Sequence, residues 1–128
     1  VAIYYDAIQK GEYEFFVNEQ TVLPMMYMPD AIKATIDIMQ AEPEKIKIHT
    51  SYNLTAFSFS AKDLEENVRK YIPELKCSYA PDFRQNIANS RPASIDDSSA
   101  QKDRGWKADY DLDAMSQDMI ENLKKRLS

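Results

Sequence analysis

Apolar residues near the N-terminus recur about one helical turn apart, Ile3 and Tyr4 and then Ala7 and Ile8. That spacing predicts a helix over residues 1–10, with Gly11 as its stop. Its apolar face, carrying the Tyr4/Tyr5 pair, is expected to be exposed and to seek a second copy or an absent domain. Tyr13-Glu14-Phe15-Phe16-Val17 reads as a strand, and Asn18 begins a turn. Val22 to Met28 reads as a short apolar strand. Pro24 cannot donate to a ladder, which puts that strand at a sheet edge. Pro29 suits the first turn of a following helix, where its missing N–H costs nothing. Ile32, Ile36 and Met39 line one face of this helix, with Ile38 beside them, and Glu42-Pro43-Glu44 ends it.

Beyond it, Ile46-Lys47-Ile48 suggests a short extended piece and Tyr52-Asn53-Leu54 a strand. Ser60, with Asp63 three residues on, has the form of a capping box. It opens a helix whose buried stripe is Leu64, Val68 and Tyr71/Ile72, stopped by Pro73. Lys76 to Tyr79 is the next strand. Residues 81–97 read as a long loop with a helical turn around Phe83 to Ala88. A last helix begins after Asp111 and buries Leu112, Met115, Met119, Leu123 and Leu127. Strands alternating with helices predict an α/β fold, with residues 1–128 as a single unit. There are no repeats and no low-complexity runs.

Composition narrows the function. The chain has 128 residues, 44% of them hydrophobic, enough to bury a core, and a net charge of -5 with basic and acidic residues interleaved. Nucleic acid would need clustered Lys and Arg, so it is not an expected partner. No apolar run approaches the ~20 residues of a membrane helix. The single cysteine, Cys77, excludes an internal disulfide and suits a reducing cytoplasm. Its strand position favours a buried, inert thiol. The start at Val1, directly in amphipathic pattern, suggests a piece of something longer.

Self-contained chemistry is scarce. Gly11 and Gly105 are the only glycines, too few and too far apart for a loop that cradles phosphates. His49 stands alone, so no metal site is expected. Asp109, Asp111 and Asp113 lack the glycine and closing Glu of a calcium loop, and helix capping accounts for them better. Met25-Met26-Tyr27-Met28 reads as an adaptable apolar surface or, preferably, a buried strand. Gly105-Trp106 reads as a helix end: Asp97 or Ser98 caps a short helix, Gly105 closes it in a left-handed turn, and Trp106 folds back onto it.

Three stretches together resemble the C-terminal half of an extended short-chain dehydrogenase/reductase. Met25-Met26-Tyr27-Met28-Pro29-Asp30-Ala31-Ile32 resembles its strand-to-helix signature, with Asp30 near the positive helix end. Ser51-Tyr52-Asn53-Leu54, Phe59-Ser60 and Asp63-Leu64 resemble a strand that joins the edge of the Rossmann sheet and the helix after it. Asp97-Ser98-Ser99-Ala100, Gly105-Trp106 and Leu112 resemble a third signature at matching spacing. Within that superfamily, Leu23 to Asp30, Pro81-Asp82-Phe83-Arg84-Gln85, Ser94 to Ser98 and Lys107 to Leu112 are most similar to the epimerase-like, NAD-dependent L-threonine 3-dehydrogenases.

The resemblance implies a C-terminal substrate-lobe portion of a Rossmann-type fold, lacking the N-terminal dinucleotide-binding half. It implies L-threonine as substrate, NAD as cofactor of the intact relatives, a homodimer, and a substrate site that includes Met25, Arg84, Ser90 and Arg91. Nucleotide-sugar epimerases of the superfamily carry an Arg where this chain has Leu23, and leucine offers a diphosphate no donor fork. The alternatives are a lobe of such an epimerase or dehydratase, or a non-catalytic oligomerisation relic. The family's catalysis implies a Tyr-x-x-x-Lys pair, the Tyr acting as acid/base while hydride leaves the threonine Cβ. None of the eight tyrosines here has Lys four residues later. The chain alone is expected neither to catalyse nor to bind NAD. Arg91 and Arg104 stand where the family has Trp, and Ala108 where Pro is usual. Arg91 either pairs with a substrate carboxylate or marks an altered pocket.

Overall fold

The computed structural model describes residues 2–128; Val1, at the head of the expected first helix, lies outside them. Helix α1 spans Ala2–Gln9 and is closed by Gly11, whose φ of 72° lets its N–H return to the Asp6 carbonyl at 3.0 Å. Strand β1 is Glu12–Phe15, β2 is Val22–Met25 and helix α2 is Met28–Met39. A 3-10 turn at Pro43–Lys45 leads by an irregular segment to strand β3, Phe57–Ser60. Helix α3 (Ala61–Tyr71), strand β4 (Lys76–Tyr79), and helices α4 (Arg84–Asn89), α5 (Ser98–Arg104) and α6 (Leu112–Leu127) complete the chain. The α/β expectation holds.

The strands form two ribbons. β1 runs parallel to β4, from Glu12 opposite Lys76 to Phe15 opposite Tyr79. β2 runs antiparallel to β3, with Pro24 opposite Ser58. Among the described residues β2 pairs with β3 alone, which suits the proline in it. The expected strand at Tyr52–Leu54 is displaced to Phe57–Ser60, whose Phe-Ser-Phe-Ser alternation fits a half-buried ladder. Tyr52 serves another purpose: its hydroxyl accepts the N–H groups of Lys47 (2.9 Å) and Ile48 (3.2 Å) and donates to Asp103 (2.9 Å). Those amides are satisfied by a side chain, so the expected extended piece at 46–48 forms no ladder.

The main core joins α1, α3 and α6 over the β1–β4 ribbon, around Ile3, Tyr4, Phe15, Val68, Ile120 and Leu123. This corrects two expectations. The apolar face of α1 is covered within the chain, with Ile3 and Tyr4 each 2% exposed. Of the expected α6 stripe, Leu123 is buried and Met115 and Met119 pack part-buried against the core, but Ser116 and Ile120 join Leu123 as the fully buried positions and Leu127 is exposed. The reason is local: Tyr4 needs a partner for its hydroxyl, and Ser116 supplies one at 2.9 Å while being small enough to admit the ring. The Ser60–Asp63 capping box forms in both directions, at 3.1 and 3.0 Å.

A second cluster holds Ala34 of α2, Ala100 of α5 and Trp106, with Met26, Tyr52 and Leu54 against them. Gly105 ends α5 at φ 63°, and the Trp106 N–H wraps back to the Ala100 carbonyl. The expected cap differs in detail. Asp96, not Asp97 or Ser98, accepts the first free amide (Ser98, 3.0 Å), while the Asp97 carboxylate takes the Gln101 side chain. Asp111 does cap α6, accepting the Ala114 N–H at 2.8 Å. The Met25–Met28 run is not a buried strand: β2 stops at Met25, and Met25 and Met28 are exposed. The Ile32–Ile36–Met39 face of α2 is likewise uncovered; α2 buries Asp30 and Ala34.

Candidate functional site

A pocket of about 500 Å³ lies between β2 and α4. Leu23, Pro24 and Met25 of β2 form one part of its lining. Phe16 and Val17, just past β1, also line it. Arg84, Ile87 and Ala88 of α4 line it too, together with Arg91, Pro92 and Ile95 from the segment that follows α4.

Local sequence holds α4 in place. Asp82 begins it by accepting the Arg84 N–H at 2.8 Å. Gln85 ties the helix to the turn before β2: its side-chain oxygen accepts the Asn18 N–H at 2.6 Å, and its amide donates to Thr21 at 3.1 Å and to Asn89 at 2.7 Å. Ser90 finishes the helix, its hydroxyl donating to the Ile87 carbonyl at 2.7 Å.

The two arginines differ. Arg84 donates from Nε to both Asp82 oxygens at 3.1 Å and from Nη2 at 2.6 Å, and it lies 3.7 Å over the Phe16 ring. This bidentate pair raises the Arg84 guanidinium further and lowers the Asp82 carboxyl. Arg84 is therefore an already neutralised wall. The Arg91 guanidinium makes no ion pair or hydrogen bond among the described residues. Of the residues expected at the site, Met25, Arg84 and Arg91 line one pocket, and Ser90 serves the helix end just outside it. Phe16, Ile87 and Ile95 were not anticipated. Ile87 sits in the helical turn expected around Phe83 to Ala88 and Ile95 in the loop around it, and only their apolar character could have marked them.

No lining side chain carries an oxygen. The pocket can hold an anion and an apolar body but offers no acid or base for proton transfer. A larger cleft of about 650 Å³ lies beneath α2, walled by Met26, Ile38, Ile46, Tyr52 and Trp106, with His49 and Arg104 also at its lining. It gathers none of Met25, Arg84, Ser90 or Arg91. Arg104 there donates to the Asp37 carbonyl at 3.1 Å. Cys77, part-buried on β4, has its thiol pushed up to about 11, by burial first and by Glu65 second.

The residues present do not fit a dinucleotide. Gly11 and Gly105 both follow the C-terminal ends of helices, in left-handed conformation, whereas a pyrophosphate needs glycines at a strand-to-helix turn. Among the described residues no group of three His, Cys, Asp or Glu could hold a metal ion, and no helix is long and apolar enough to cross a membrane.

No family model matches the chain. Individual proteins do. It is 41% identical over 121 residues to the mitochondrial L-threonine 3-dehydrogenase of Bos taurus, a match covering 94% of this chain and 32% of that protein. It is 39% identical over 127 residues to an uncharacterised epimerase/dehydratase of Staphylococcus aureus, covering 98% and 40%. The solved L-threonine dehydrogenase of Phytophthora infestans superposes with a TM-score of 0.95 at 44% identity, covering 98% of this chain and 41% of that one. The chain thus spans between 32% and 41% of these relatives' length.

Proposed function

We propose, on the premise that this chain is a C-terminal part of the L-threonine 3-dehydrogenase and epimerase/dehydratase family, that it forms the substrate side of an NAD-dependent, L-threonine 3-dehydrogenase-like oxidoreductase. Its own residues bind and orient; a dinucleotide and its phosphate loop belong to protein that this chain does not supply. The observation that carries the reading is the pocket between β2 and α4, where Arg91 stands beside an apolar wall that includes Met25. A guanidinium fork is the natural partner of an amino acid's carboxylate. Fixing that end against a rigid wall is the positioning a hydride transfer requires. The lack of side-chain oxygens argues against a nucleotide sugar, whose many ring hydroxyls would go unpaired. A homodimer and a cytoplasmic setting belong to the same reading, resting on the family resemblance and on the lone Cys77.

The test is a graft. Residues 1–128 replace the matching segment of the Phytophthora infestans enzyme, and NADH formation is followed with L-threonine. Threonine-dependent NADH supports the reading. A folded, NAD-binding graft that yields none with threonine or any related amino acid refutes it.

A further inference from the structure

We infer that the pocket between β2 and α4 takes a monocarboxylate whose body is a branched aliphatic chain larger than that of threonine, with Arg91 holding the carboxylate; this rests on reading that pocket as the substrate site. Three observations carry it. First, the anion has one available partner. Arg84 is already in a bidentate pair with Asp82, and a second carboxylate there would face the negative charge of Asp82. Arg91 has no such competitor among the described residues.

Second, the remaining surface is hydrocarbon. Leu23, Met25, Ile87, Pro92 and Ile95 present no side-chain oxygen. A hydroxyl or ammonium directed at them loses water and gains no hydrogen bond. Threonine carries both groups close to its carboxylate, so this wall satisfies only its methyl. A substrate with polar groups on the α-carbon would have to turn them to the open mouth and its side chain inward.

Third, the space exceeds a four-carbon acid. A pocket of about 500 Å³ falls within the range that holds ligands of drug size, roughly 300–1,000 Å³. Each further methylene buried there is worth roughly fourfold in affinity. Arg91 is thus a specificity-determining residue, the lining guanidinium that no carboxylate among the described residues already neutralises.

The experiment is a methyl-detected NMR titration of the 128-residue chain with acetate, isovalerate, isovaleramide and L-threonine, read at Met25, Ile87 and Ile95. Isovalerate is expected to move these methyls saturably and to bind more tightly than acetate by roughly fourfold per added carbon. It should also bind more tightly than isovaleramide and L-threonine. Arg91→Ala should weaken it about tenfold or more, and Arg91→Lys by less, as loss of a charged hydrogen-bond partner dictates. Threonine binding more tightly than isovalerate at the same methyls overturns the inference and leaves the substrate-site reading intact. Isovaleramide matching isovalerate, or Arg91→Ala without effect, overturns the role of Arg91. If no ligand moves these methyls, both the inference and the substrate-site reading fall.

Discussion

Asp30 is 1% exposed, a carboxylate almost entirely out of water. It is tolerated there because it accepts two backbone N–H groups, from Asp109 at 2.9 Å and Tyr110 at 3.0 Å. Sequence suggested a charge at the positive end of a helix. The structure adds that the side chain latches the start of α2 to the segment leading into α6. Asp30→Ala leaves two donors unpaired and should lower unfolding free energy by about 3 kcal/mol in urea titration, whereas Asp30→Asn, which keeps one oxygen acceptor, should cost roughly half that. Cys77 gives a pH test. Burial and Glu65 raise its thiol from 9.0 to about 11. The folded state therefore holds the proton more tightly than the unfolded state. The associated stability is complete below pH 9.0 and is lost as pH rises through about 11. Iodoacetamide labelling of the folded chain should rise near pH 11, and labelling in denaturant near pH 9.0.

At the scale of elements, the end of α5 is set by one glycine. Gly105 lies at φ 63° with nothing within 4 Å of where a Cβ would sit. Gly105→Ala therefore costs only conformational strain, about 1–2 kcal/mol in Tm-derived stability. The following Trp106 gains an anchor for its ring, with Nε1 donating to the Thr55 carbonyl at 3.0 Å. Helix α2 behaves oppositely. Ile32 and Ile36 are 53% and 46% exposed, so Ile32→Lys or Ile36→Lys should change stability by no more than about 0.5 kcal/mol on thermal unfolding. Helix spacing, proline stops and the Ser60–Asp63 box were readable in the sequence because they depend on neighbours within a turn. Which face of a helix is covered was not readable. The α1 stripe found α6, the equally regular α2 stripe found nothing, and period alone cannot distinguish them. The strand at Phe57–Ser60 could have been read from its alternation, but the Tyr52-Asn53-Leu54 motif drew the assignment upstream.

For the molecule as a whole, Met25, Arg84 and Arg91 could be named from sequence only through the family resemblance, since residues far apart in the chain become one pocket through the Gln85 tie to the turn before β2. The division between Arg84 and Arg91 was beyond sequence, because it turns on Asp82 folding back onto its neighbour. With both glycines used to close helices, NAD should produce no thermal shift in the chain alone, and a clear shift would mean a phosphate site exists elsewhere. The central claim is that Arg91 holds the substrate carboxylate. Steady-state kinetics of the grafted enzyme test it most directly, with Arg91→Ala set against the unsubstituted graft. The account predicts KM for the amino acid raised about tenfold or more with kcat changed far less, the signature of lost binding common to ground and transition states. An unchanged KM would contradict it.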